Sequence, residues 1–139
     1  MTAIARAEAT WLRYRLDTPV GGSGVAAVDV VIVDLEDADG ASGLGFSYVL
    51  GGGGHVVLAA AREQLDRFVR AQPRVPPSAL WRRIAGSFNR TGLGPNLLAL
   101  AAIDVAAWDL QARSQGVPLG VAMGGVPRAV DRKSTRLNS

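Results

Sequence analysis

The chain has 139 residues, 48% of them apolar, which is enough for one domain with a buried core. Cysteine is absent, so disulfides and thiolate metal sites are excluded; no apolar run approaches the ~18–20 residues of a membrane span, no secretory signal opens the chain, and a cytoplasmic protein is expected. Up to Val130, 12 Arg and no Lys oppose 11 Asp and Glu; the other +2 of the net +3 comes from residues 131–139, so no basic surface supports nucleic-acid binding.

Residues 3–16 alternate loosely, with Ile4, Trp11 and Leu12 apolar and Arg6, Glu8, Arg13 and Arg15 polar, as in a strand with one wet face. Asp17–Gly24 has the composition of a loop. Val25–Glu36 is β-branched and strand-like, Asp37–Gly40 carries tight-turn residues, and Ala41–Tyr48 reads as a third, glycine-rich strand. Three sequential strands with a short second connection predict an antiparallel meander. After Gly51–Gly54, residues 55–71 have helical spacing, with Val57, Ala61, Leu65, Phe68 and Val69 inward and Asp66 able to pair with Arg70. Pro73, Pro76 and Pro77 end that helix and begin another over 78–88, capped by Ser78, with Leu80, Trp81, Ile84 and Phe88 inward.

Arg90–Gly94 is a loop leading into the stretch that organises the chain, Asn96–Gly125. Leu97, Leu100, Ala101, Val105, Trp108 and Ala112 follow the helical rhythm, and the opposite side (Leu98, Ala102, Ile103, Ala106, Ala107) is nearly as apolar. A helix covered on most sides is expected, with Pro95 in its first turn, Gly116 just past its end and Pro118 barring continuation. Strands first and helices after predict an α+β fold: a three-stranded meander followed by a layer of three to four helices. The tail 131–139 holds the only Lys, has no apolar period, and reads either as a frayed terminus or as a truncated or non-native end.

The polar residues give little chemistry. Asp104 and Asp109, five apart, project about 140° from each other on a helix and cannot close on one ion. Asp109 suits an i, i+4 pair with Arg113, and both acids read as structural. His55 is the only histidine, too few for a zinc site or a Ser-His-Asp triad, and is expected exposed at a helix start. The clusters Gly21–Gly24, Gly51–Gly54 and Gly92–Gly94 lack the residues of a P-loop or dinucleotide site and read as flexible loops. The first two follow strand ends and could close over a ligand.

Ala102-Ile103-Asp104-Val105-Ala106-Ala107-Trp108-Asp109-Leu110, then Gly116-Val117-Pro118-Leu119 and Gly124-Gly125, resemble the end of the N-terminal capping domain of the mandelate racemase and muconate-lactonising enzyme family, in the enolase superfamily. Gly43–Tyr48 also resembles the mandelate racemase branch, and the resemblance spans roughly residues 3–126. It implies a capping domain at 1–125. Residues 126–139 would be either the start of a missing (β/α)₈ barrel or a foreign tail. In that family the barrel carries the Mg²⁺ ligands and the base that removes a proton α to a carboxylate, and a barrel needs about 250 residues. This chain alone would then hold no metal and no catalytic residue. The resemblance further implies that loops after the first and third strands, here Pro19–Gly24 and Tyr48–Gly54, shut the active site. It makes Val20, Ser23, Tyr48, Val49 and Leu50 the residues that face substrate. Glycines in the second loop weaken an aromatic substrate and leave a sugar acid as an equal candidate. The parent enzyme, a racemase or acid-sugar dehydratase, would be a homo-oligomer. The competing reading is a standalone α+β binding domain without catalysis.

Overall fold

The computed structural model describes residues 2–129; the expectations for 131–139 lie outside the described residues. Strands β1 (Ile4–Val20), β2 (Val25–Asp37) and β3 (Ser42–Leu50) form an antiparallel sheet in the order β1-β2-β3. Helices α1 (Gly54–Phe68), α2 (Pro77–Ala85), α3 (Gly94–Gln115) and α4 (Leu119–Ala122) follow, with α1 and α3 lying on the sheet and α4 on α3. The α+β meander with its helical layer is the expected fold.

Period-two alternation sends Ala7 and Ala9 of β1 and Val31, Val33 and Leu35 of β2 to the helical side. There they meet Val57, Ala61 and Leu65 of α1, Leu80 and Ile84 of α2, and Ala99, Leu100, Ile103, Ala106 and Leu110 of α3 in one core. On β3 the inward positions are Gly43, Gly45 and Ser47. A Cβ on Gly43 would strike the α3 backbone at Ala106 and Leu110, and one on Gly45 would strike Ala102 and Ala106. The strand therefore takes a helix with small residues at nearly backbone-to-backbone distance. Asp109 fixes the register: its Oδ2 accepts from the Leu44 N–H at 2.9 Å and from Arg113 Nε at 2.9 Å. Gly116, at φ 65°, ends α3 as expected.

Several expectations need correction. β1 does not stop at residue 16 but runs to Val20, because the pairing slips register between Arg15 and Val20. A bulged edge strand tolerates Pro19, which has no N–H to give. β3 likewise runs on to Leu50, since Tyr48, Val49 and Leu50 pair with Val30, Asp29 and Val28. Helix α1 stops at Phe68, short of residue 71, where Ala71 takes a positive φ of 54°. Ser78 makes no cap; Pro76 precedes the helix and Pro77 starts it without a side-chain bond. Trp81 points outward, 42% exposed, while Leu80, Ile84 and Phe88 fill the inward face. Trp11 and Leu12 are also exposed, so Ile4, Ala7 and Ala9 form the inner surface of β1. On α3, Leu97, Leu98 and Val105 stay exposed, leaving an apolar row uncovered.

Candidate functional site

The β1–β2 and β3–α1 connections lie side by side at one end of the sheet. The first is a 3₁₀ turn, Gly21–Ser23, closed by Gly24 at φ 69°. Ser23 Oγ donates to Val20 O at 2.5 Å and accepts from the Val25 N–H at 3.3 Å, so it locks the turn. The second is Gly51-Gly52-Gly53, with φ of 83°, 157° and 98°, a path that side-chain-bearing residues rarely follow. The Gly51 N–H donates to Ala27 O at 2.9 Å, tying the second connection to the start of β2.

A buried acid holds this end together. Asp29 occupies an inward position of β2 and is 1% exposed. Its Oδ2 accepts from the Gly54 N–H at 3.0 Å, the first residue of α1. Its Oδ1 makes no hydrogen bond and faces Arg13 Nη1 at 3.5 Å. Arg13 Nη2 also donates to Gly51 O at 3.1 Å. A Cβ on Gly54 would collide with Asp29 and the Trp11 indole. The Gly54 bond, aided by Trp11 and the charge of Arg13, holds the Asp29 carboxyl below its ordinary range although burial acts the other way. The carboxylate thus meets a helix start, where the backbone N–H groups favour negative charge.

The five residues expected to face substrate share this end but not one surface. Val20 closes β1 opposite Val25, and Ser23 sits in the turn. Tyr48 and Leu50 point to the outer face of the sheet, whereas Val49 points to the helical side, half-buried beside Gly53. Phe46–Leu50 together with Leu98 and Ala101 line a shallow, mainly apolar groove where β3 meets α3. Arg13, Asp29 and Gly54 were not among the expected site residues. Asp29 carried a signal: like Asp37 at the far end of the strand, it is an acid in phase with the inward Val31, Val33 and Leu35. His55 is exposed at the start of α1, its ring tilted against Trp11 at 6.2 Å between centroids.

The acids of α3 do not converge. Asp109 is committed to Leu44 and Arg113, while Asp104 is half-buried on another face, where burial alone raises its carboxyl above the ordinary range. No group of three or more His, Cys, Asp or Glu that could hold a metal occurs among the described residues. Nor is any helix among them long and apolar enough to cross a membrane.

The N-terminal domain of mandelate racemase / muconate lactonizing enzyme, as a sequence family, matches residues 3–124. L-talarate/galactarate dehydratase of Salmonella typhimurium is 32% identical over 101 residues, covering 70% of this chain and 24% of that enzyme. The crystal structure of that dehydratase, with Mg and L-lyxarohydroxamate, superposes with a TM-score of 0.79 at 25% identity, over 88% of this chain and 34% of the other. L-talarate dehydratase from Polaromonas sp., complexed with Mg and L-glucarate, gives a TM-score of 0.81 at 26% identity, over 91% and 36%. The chain therefore spans about a quarter of the first of these relatives and about a third of the solved structures.

Proposed function

The chain belongs to the mandelate racemase / muconate lactonizing enzyme family, as an N-terminal domain of the enolase superfamily, and from that premise we propose that it is the lid of a Mg²⁺-dependent enzyme. That enzyme removes a proton α to a carboxylate, in a racemase or an acid-sugar dehydratase reaction. The observation that carries the reading is the pairing of two glycine-rich connections at one end of the sheet, clamped by Asp29 and Arg13. A rigid sheet with two short glycine-rich connections held together at one end suits a cover over a small ligand.

In this reading Val20, Ser23, Tyr48, Val49 and Leu50 border the substrate at this end of the sheet, Tyr48 and Leu50 from its outer face and Val49 from the helical side. Ser23 spends its hydroxyl proton on Val20 and can only accept from a ligand. Val20, Val49 and Leu50 bring apolar surface that shapes and dries the site, Tyr48 adds a phenol hydroxyl, and the charged ends of a sugar acid are left to groups elsewhere. The described residues do not fit a Mg²⁺ site: no group of three or more His, Cys, Asp or Glu among them could hold a metal, and Asp109 of α3 is committed to Leu44 and Arg113. Metal ligands, base and proton transfer are assigned to a barrel partner beyond this domain. The relatives named above, an L-talarate/galactarate and an L-talarate dehydratase, favour an acid sugar as the substrate class.

The test has two arms. Purified chain incubated with galactarate, L-talarate or D-galactonate and Mg²⁺ is expected to form no product; turnover would overturn the reading. The reading frame beyond Val130 in the source gene is expected to encode a Lys-x-Lys and then spaced acids at strand ends. A stop codon in clean genomic sequence would instead leave a standalone binding domain.

A further inference from the structure

Strand β1 has β2 on one side and no strand among the described residues on the other. The pairing fixes where its free backbone groups point. The Gly51 N–H donates to Ala27 O, so odd positions of β2 turn their peptide groups to β3 and even positions turn theirs to β1. Thr10 opposite Ile32 and Leu12 opposite Val30 answer the even positions. Ala7, Ala9, Trp11 and Arg13 therefore turn N–H and C=O to the open edge. Arg70 shows the same phase, since its Nε donates to Ala7 O at 2.9 Å. Past that bond, the backbone groups of Ala9, Trp11 and Arg13 have no partner among the described residues. A groove runs beside this edge between the strand and α1, lined by Glu8, Ala9, Thr10, Arg62, Asp66 and Arg70. Its charges do not balance. Arg70 pairs with Asp66 and Arg6 with Glu8, which leaves Arg62 without an ion pair among the described residues.

We propose that the Ala9–Arg13 edge takes up a short extended segment of a partner protein as a fourth strand, with an acidic side chain of the guest set against Arg62. An open edge offers a ready row of donors and acceptors, and main-chain bonds hold such a guest whatever its sequence. Selection falls to its alternating side chains. Those on the helical side lie over the groove, where Arg62 is the uncompensated charge. Those on the outer side lie beside Thr10 and Leu12, and Leu12 is 53% exposed and favours an apolar neighbour. The fitting segment therefore alternates acidic and apolar residues. Arg70 closes the edge at Ala7, and the slip in register between Arg15 and Val20 closes the other end, so the guest is short. A second copy is a poor guest, because pairing through Ala9 would bring two α1 flanks together and set Arg62 against Arg62. None of the substrate-facing residues takes part, and the inference does not rest on the lid reading.

Fluorescence anisotropy with a labelled octapeptide of alternating glutamate and valine, blocked at both ends, tests this on the purified chain. At low salt it is expected to bind at least tenfold more tightly than the peptide with lysine in place of glutamate. Arg62→Glu, on the exposed flank of α1, is expected to reverse that preference with an unchanged circular-dichroism spectrum. Should the glutamate disturb folding, Arg62→Gln is expected to abolish the preference. The acidic peptide N-methylated at every residue offers no N–H and is expected not to bind. Hydrogen exchange is expected to slow on binding at the Ala9, Trp11 and Arg13 amides and nowhere else in the sheet. No binding at about 1 mM peptide, where even millimolar affinity would register, overturns the proposal. So does a methylated peptide that binds as well as its parent, a charge preference that survives Arg62→Glu, or protection that falls outside β1. A chain that sediments as a dimer with these three amides already protected would make a second copy the guest and overturns it too. The lid reading fails on different data, turnover by the isolated chain.

Discussion

Asp29 is a carboxylate set among inward valines, and its worth depends on pH. Its pKa lies below the ordinary 3.8 in the folded chain. A depressed acid stabilises the fold above its unfolded value and loses that contribution as pH falls through the folded one. Asp29→Asn is therefore expected to destabilise the domain at neutral pH and to flatten the fall in stability below pH 3.8; thermal melts across acid pH read both. Asp104 has the opposite sign. Burial raises it, so the charged form opposes folding at neutral pH, and stability returns as pH falls through the raised value toward 3.8. Asp104→Asn is expected to raise the melting temperature at pH 7 and to make no difference under strongly acid conditions. A loss at pH 7 would show that Asp104 has a favourable partner. The phase of Asp29 within its strand was legible from residue order. Its partners were not, because Gly54 comes 25 residues later and only the folded β3–α1 path brings it near.

At the level of elements, β3 and α3 act as one unit. Gly45 exists in its present form because the α3 backbone occupies the place of a side chain. Gly45→Ala is expected to cost about 1–3 kcal/mol, the range for overpacking a tight contact, and denaturant melts would measure it. An unchanged midpoint would mean that the helix can retreat freely. The existence of α3, its proline start and its glycine stop could all be read from spacing. Its orientation could not: apolar residues surround it, so no polar stripe marks the outside. Which rows are covered is decided by Gly43 and Gly45 on another element, and the covered set is Ala102, Ala106 and Leu110 rather than Leu97 and Val105. The strand ends were lost for a related reason. Pairing partners extend β1 and β3 through composition that reads as loop, since a ladder with a neighbour outweighs local preference.

For the molecule as a whole, the near balance of charge up to Val130 and the absence of a grouped ligand set among the described residues bear on metal binding. Mg²⁺ is expected to leave the thermal midpoint of the isolated chain unchanged, because a ligand raises it only by binding the folded state. A rise that saturates with Mg²⁺ would reveal a site on this domain. The fold class and the family were legible from short motifs along the chain. The open edge of β1 was not, because it exists only once the strands have paired in this order. The contact between Leu44 and Asp109 has a kinetic consequence. It joins positions 65 residues apart, while an isolated helical turn forms within about a microsecond. Helix α3 can flicker into shape early, yet it has nowhere to dock until the meander has closed and presented its notch. Refolding should therefore be paced by long-range chain closure, and the sheet should gain protection from hydrogen exchange before the helix that lies on it.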